Sequence, residues 1–196
     1  LIFPGFELLD LFGARERVGL WSNECKIELV AEKLGPVPSN QGCAAHASQT
    51  LTSKAEYDIL FVPGGIGTRR EVDNKALLDW IAQTSDQAEY TLSVCTGSAL
   101  LAKAGVLDGR RATSNKMAFS WVAEQGPNVT WVAQARWVED GTIFTSSGVS
   151  AGMDMALGEI ARMKGHETAL KVATWAEYDW HQDPDWDPFA ALHKLV

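Results

Sequence analysis

One cysteine sits where the chain offers a nucleophile. In Ser93-Val94-Cys95-Thr96-Gly97-Ser98 the strand-like run Tyr90 to Val94 ends, and small residues opening a helical stretch follow. Ligands in open α/β sheets bind at the carboxyl ends of strands, and a sharp strand-to-helix corner projects its residue outward. The helix N-terminus beneath such a corner supplies unpaired N–H groups and positive potential. Both favour thiolate, the nucleophilic form of cysteine, and Gly97 lets the helix pack closely behind. An inert buried cysteine is the plainer reading, and position alone leaves the two open.

Two further elements carry chemistry. Pro63-Gly64-Gly65-Ile66-Gly67 follows another apolar run, and glycines there let backbone N–H groups approach an anion or a developing oxyanion. A flexible turn would look the same. Asp10 lies among Leu8, Leu9, Leu11 and Phe12, where desolvation would raise its pKa and suit it to proton transfer. The simpler account is an acid in the first turn of a helix, favoured by the dipole.

Other polar residues carry weaker signals. His46, His166, His181 and His193 show no metal-ligand spacing. His166 reads as a helix-opening residue, and His181 as part of a polar-aromatic cluster with Tyr178 and Trp180. Asp154 reads as an anchor for a neighbouring loop, Glu16 as part of an exposed helix face, and Trp175, Trp180 and Trp186 as packing for the C-terminal segment. Cys25 and Cys43 have no CxxC partner and read as bystanders.

The elements that must position these residues alternate in type. Leu1 to Phe3, Lys26 to Val30, Asp58 to Val62, Tyr90 to Val94, Thr130 to Ala135 and Thr142 to Ser146 read as strands. Helical patterns follow the first (Leu8, Leu11, Phe12, Val18), the third (Leu77, Leu78, Trp80, Ile81) and the fourth (Gly97 to Ala104). Others cover Ala118 to Glu124, Ser150 to Met163 and Glu167 to Tyr178. Gly35 to Thr52 reads as a hairpin excursion, and Asp179 to Phe189 as ordered loop. Alternation of this kind predicts an α/β fold, a mostly parallel sheet with helices on both faces, as one domain over residues 1–196.

Composition narrows the classes. The 196 residues carry a formal net charge of −8 and form no long basic stripe, so no nucleic-acid partner is expected. No apolar run approaches the roughly 20 residues that span a bilayer. Three unclustered cysteines fit a reducing, cytoplasmic setting rather than a disulfide framework or structural zinc. The chain opens without Met inside a strand-like run, so a few native residues are expected to precede it.

Taken together, Phe3-Pro4-Gly5 with Asp10, Pro63-Gly64-Gly65, and Val94-Cys95-Thr96-Gly97-Ser98 resemble the ThiJ/PfpI superfamily. The segments Ala104 to Thr113 and Gly148 to Asp154 continue that resemblance. It implies a class I glutamine amidotransferase-like, flavodoxin-like fold with Cys95 on a nucleophile elbow. The branch it is most similar to is that of isocyanide hydratases and of amidase-like domains of transcriptional regulators. On that analogy Cys95 attacks an electrophilic carbon and Asp10 handles protons, with Gly64, Gly65, Thr96 and Asn115 on the substrate side. The analogy implies no cofactor, no metal, a small-molecule substrate and a homodimer.

The departures also matter. Asn115 stands where protease-like and chaperone-associated members have His, so Cys–His catalysis is not expected. Gly13-Ala14 replaces the usual Gly-Pro, followed by Arg15, Glu16 and Arg17. A regulatory or redox-sensing domain acting through Cys95 modification, and a glyoxalase- or deglycase-like activity, stay open. The chain ends at Val196 without a basic helix-turn-helix region, which favours a free-standing protein.

Overall fold

The structure, a computed structural model, describes residues 1–21 and 25–196; the side chains of Arg17, Val18, Leu20 and Trp21 lie outside the described part. In chain order the first half comprises α1 (Leu8–Trp21), β1 (Val30–Ala31), β2 (Gly35–Pro38), β3 (Ala44–Ala47), β4 (Gln49–Thr50), β5 (Ile59–Val62), α2 (Thr68–Glu71) and α3 (Lys75–Gln87). The second half adds β6 (Tyr90–Val94), α4 (Gly97–Lys103), β7 (Arg111–Ala112), α5 (Phe119–Gln125), β8 (Thr130–Trp131), β9 (Trp137–Asp140), β10 (Ile143–Ser146), α6 (Ala151–Lys164), α7 (His166–Trp175) and α8 (Phe189–Leu192).

The central sheet has the order β5-β6-β10-β9. β5 pairs parallel with β6, with Leu60 opposite Thr91, and β10 pairs parallel with β6, with Thr145 opposite Ser93. β9 closes one edge antiparallel to β10. Strand side chains alternate between faces, and that alternation builds two cores. Leu60, Val62 and Ile143 join the cluster containing Leu77 and Ile81 of α3 and Ala99 to Ala102 of α4. Leu92, Val94 and Phe144 pack with Met155 of α6 on the other face. Each fully buried Leu, Phe or Met here contributes roughly 1.5–3 kcal/mol of transfer free energy. The expected flavodoxin-like arrangement, a mostly parallel sheet with helices on both faces, is therefore present.

Several expected strands are shorter than their apolar runs. Leu1 to Phe3 forms no assigned strand, yet Ile2 N donates to Val30 O at 2.8 Å and the Leu1 nitrogen to Phe61 O at 2.8 Å. The segment thus threads between β1 and the central sheet. Of Lys26 to Val30 only Val30 is in a strand, pairing through β1 with β4. Thr130 to Ala135 pairs only over β8, because the carbonyls of Val132 and Ala135 accept the Thr113 hydroxyl instead of a ladder N–H. The chain then restarts as β9, where Arg136 N and Trp137 N donate to Pro184 O of the tail. Gly35 to Thr52 holds the expected hairpin, β2 against β3, and its last residues supply β4.

The C-terminal tail is ordered loop capped by α8, and buried charge fastens it. Asp154 of α6, fully buried, accepts Arg136 Nε at 2.7 Å, Tyr178 OH at 2.9 Å and His181 N at 3.0 Å. Asp154 is thus the loop anchor its position predicts. Trp180 packs under this tail and donates Nε1–H to Asp154 O. Trp175 and Trp186, expected to pack likewise, are 72% and 50% exposed. Their positions carry them past the last buried turn of α7 and onto the outside of the tail.

Candidate active site

Cys95 lies immediately after β6 with φ +57°, a left-handed conformation costly for a residue with a Cβ. The surroundings over-determine it. Its N–H donates to both Ser146 O (3.2 Å) and Ser147 O (3.1 Å), beyond the end of β10. Its carbonyl accepts Ser98 Oγ at 3.1 Å and Ser114 Oγ at 2.9 Å. Gly97 is required directly behind, since a Cβ there would lie 2.3 Å from Val62 O. The elbow is therefore built from the ends of β5, β6 and β10 together.

Asp10 reaches this corner from the first turn of α1 and is fully buried. Its Oδ2 accepts Gly64 N at 2.9 Å, while Oδ1 makes no full hydrogen bond. Burial raises its pKa to about 7 against the opposing Gly64 N–H; the Glu7 charge raises it further, and the nearby Cys95 thiol favours its ionised form. Oδ1 is thus an uncommitted proton acceptor beside a thiol. The dipole account of Asp10 does not explain a carboxyl so deeply desolvated.

Cys95 itself is 6% exposed. Burial pushes its thiol well above the usual range, and the Asp10 charge adds to that, while the Thr96 and Val149 N–H groups work against it. The expectation of a thiolate stabilised by the helix N-terminus is reversed, because desolvation outweighs two amide donors. Burial thus favours the thiol over the thiolate.

The glycine loop has a different task from the one its sequence suggests. Gly64 N is committed to Asp10, and Gly65 N donates to Thr96 Oγ1 at 3.0 Å. In this structure both amides are therefore engaged with Asp10 and Thr96 rather than open to an oxyanion. The close approach explains the glycines: a Cβ on Gly64 would sit 2.6 Å from Thr96 N and 2.8 Å from Cys95 Cβ. One on Gly65, at φ +125°, would meet Gly5 O at 2.4 Å.

Thr96 follows Cys95 and links it to α2, since Thr68 Oγ1 donates to Thr96 Oγ1 at 3.1 Å and to Gly65 O at 2.7 Å. Asn115 is brought to the Gly148 loop, where a Cβ on Gly148 would lie 2.4 Å from its Nδ2, and its Oδ1 accepts Ala118 N at 3.0 Å. That oxygen is used to start α5 rather than being offered to a ligand. Sequence reading missed Ser114, Thr68 and Val149. Ser114 adjoins Asn115 in the stretch that departs from the His-containing pattern, but nothing local marks Val149, whose N–H faces the sulfur from a φ of +42°.

Residues set aside in the sequence stay apart. Glu16 is exposed, His166 opens α7 with its ring 5.5 Å from that of Trp180, and His181 is held through its backbone. Among the described residues no group of three or more His, Cys, Asp or Glu side chains is placed to hold a metal. No helix of the described residues is long and apolar enough to cross a membrane. A large cleft of about 740 Å³ lies elsewhere, lined by Leu11, Ile59, Phe61, Glu159 and Met163 among others, and neither Cys95 nor Asp10 borders it.

A mostly parallel α/β sheet with a strained cysteine at a strand end defines a protein built around a nucleophile elbow. The chain belongs to the DJ-1/PfpI family, which it matches over residues 1–162. It is 34% identical to the isonitrile hydratase of Pseudomonas putida over 178 residues, covering 91% of this chain and 76% of that protein. It is 31% identical to the HTH-type transcriptional regulator CdhR of Pseudomonas aeruginosa, covering 88% of this chain and 52% of the regulator. Among solved structures, a ThiJ/PfpI family protein from Pseudomonas syringae superposes with a TM-score of 0.84 at 31% identity, over 100% of this chain and 83% of that one.

Proposed function

We propose that this protein is a cofactor-free cysteine hydratase that converts isocyanides to N-substituted formamides. The observation that carries the reading is the buried Asp10 carboxyl, held through Oδ2 by Gly64 and left with Oδ1 uncommitted beside the Cys95 thiol. An isocyanide carbon needs both a nucleophile and a proton, and this pair supplies both without a histidine.

The Cys95 S–H bond breaks as Sγ bonds to the isocyanide carbon. Asp10 Oδ1 takes the proton and delivers it to that same carbon, giving the thioimidate Cys95–S–CH=N–R. Water then adds to the carbon, the C–S bond breaks, and the sulfur recovers a proton through Asp10 as R–NH–CHO leaves. The sum is isocyanide plus water to formamide. Thr96 N and Val149 N, the amides that face the sulfur, stabilise its charge as the C–S bond forms and breaks.

The test is formamide formation from a simple aryl isocyanide by wild type, Cys95→Ala and Asp10→Asn. Turnover by wild type, none by Cys95→Ala and a loss of about 10²-fold or more in Asp10→Asn is the expected pattern. Equal activity in Cys95→Ala would sink the nucleophile. A second reading, a ligand-sensing domain, draws on the identity to CdhR. Peroxide sensing through Cys95 is less favoured, because a buried, protonated thiol reacts slowly. We include a homodimer in the proposal, since Leu170, Trp175 and Leu192 leave apolar surface uncovered; sedimentation at micromolar concentration tests it.

A further inference from the structure

Arg69, on α2, holds its guanidinium against an aromatic ring. Its guanidinium carbon lies 3.7 Å from the centre of the Trp121 ring of α5, a stacking distance. Arg70, Arg136 and Arg162 are ion-paired with Glu71, Asp154 and Glu139. Arg69 has no ion pair among the described residues; its polar contact is Nη1 to Thr68 Oγ1 at 3.4 Å. Stacking covers one face of the cation and leaves its N–H edge available, the edge that matches a carboxylate.

This cation belongs to the Cys95 site. Thr68 Oγ1 donates onward to Thr96 Oγ1 at 3.1 Å, so two hydrogen bonds separate Arg69 from the residue that follows the nucleophile. Desolvation works against the charged guanidinium, and negative charge that forms on the Cys95 sulfur during reaction favours it. On the α1 side the sulfur feels instead the negative charge of Glu7, whose carboxylate accepts Gln41 Nε2. The site is therefore polarised, negative toward α1 and positive toward Arg69 on α2. Ile66, on the loop into α2, is 61% exposed, and Met117, on the loop into α5, is 81% exposed. These leave apolar side chains uncovered on the loops that lead to Arg69 and Trp121.

We propose that the site is selective for anionic substrates, isocyanides bearing a carboxylate, which Arg69 stacked on Trp121 binds while the reactive carbon meets Cys95. The substrate class rests on the hydratase reading above; the anion selectivity of the site does not. Two paired measurements separate them. The first is kcat/KM for isocyanoacetate and 4-isocyanobenzoate, each against its methyl ester. Wild type should favour at least one acid over its ester by about tenfold or more, and Arg69→Met should lose that preference.

The second is the rate of Cys95 alkylation by iodoacetate against iodoacetamide, which requires a thiol but no hydration. Wild type should favour the anionic reagent, and Arg69→Met should reverse the order. Hydration of acids and esters alike, with iodoacetamide the faster reagent in wild type, would overturn the anion site and leave the hydratase intact. No hydration of any isocyanide, with the iodoacetate preference present and dependent on Arg69, would remove the isocyanide and keep the anion site. A preference that survives Arg69→Met in both measurements would also overturn it.

Discussion

Asp10 and Cys95 are both buried with raised pKa values, and on the proposed mechanism those values decide when the pair works. Asp10, pushed up to about 7, must be ionised to accept the thiol proton. We expect kcat/KM on isocyanides to rise with pH through about 7 and to level above it; a flat profile from pH 5.5 to 8.5 would remove Asp10 as the proton acceptor. Gly64 is the residue on which the pair depends sterically. Its N–H orients Asp10, and a Cβ would meet the backbone of Thr96 and the Cβ of Cys95. Gly64→Ala should fold but lose about 10²-fold or more in kcat, because misplacing a reacting group by about 1 Å costs that much. Activity near wild type in that variant would show that the loop can move aside.

At the scale of elements, the tail and the elbow share one support. Asp154 of α6 holds Arg136 and the backbone at His181. Arg136 O accepts Ser147 N at 2.8 Å, and Ser147 O accepts Cys95 N at 3.1 Å. Removing Asp154 leaves a largely buried guanidinium without its counter-charge, at a cost of about 3–5 kcal/mol. Urea denaturation of Asp154→Ala should register a loss of that size, with a smaller one for Asp154→Asn. A change below about 1 kcal/mol would mean that water or the tail compensates. The buried Lys116 fastens the same tail, donating to Thr113 Oγ1 and Ala135 O with the Asp187 carboxylate 4.0 Å away.

For the whole molecule, the same desolvation that tunes the site makes stability depend on pH. Glu159 of α6 is buried with both carboxyl oxygens unpartnered, and burial raises its pKa to about 8. A group whose folded pKa exceeds its unfolded value binds more protons in the native state, so stability is highest below the unfolded value and falls as pH rises. For Glu159 the window runs from the ordinary 4.5 to about 8, and for Asp10 from 3.8 to about 7. The melting temperature should therefore fall between pH 5 and pH 8. Glu159→Leu, similar in volume and free of the orphaned oxygens, should raise stability by about 1–3 kcal/mol and flatten that decline. A variant that melts lower at every pH would mean that Glu159 has a partner in solution.

The order of strands and helices, the elbow around Cys95, the need for glycines at Gly64 and Gly97, and the anchoring role of Asp154 were legible because each rests on local pattern. Apolar period, small residues at a corner and a lone acid on a buried face act within a few neighbouring positions. What those groups do there was settled by contacts between distant segments. The Gly64 and Gly65 amides are spent on Asp10 and Thr96, Asn115 starts a helix, and β8 ends where Thr113 takes the next carbonyls, those of Val132 and Ala135. The protonation of Cys95 belongs with these. Its sequence neighbours argue for thiolate, but burial under α1, β10 and the Val149 loop argues more strongly for thiol. Desolvation is a sum over everything packed around an atom, so only the tertiary structure decides it.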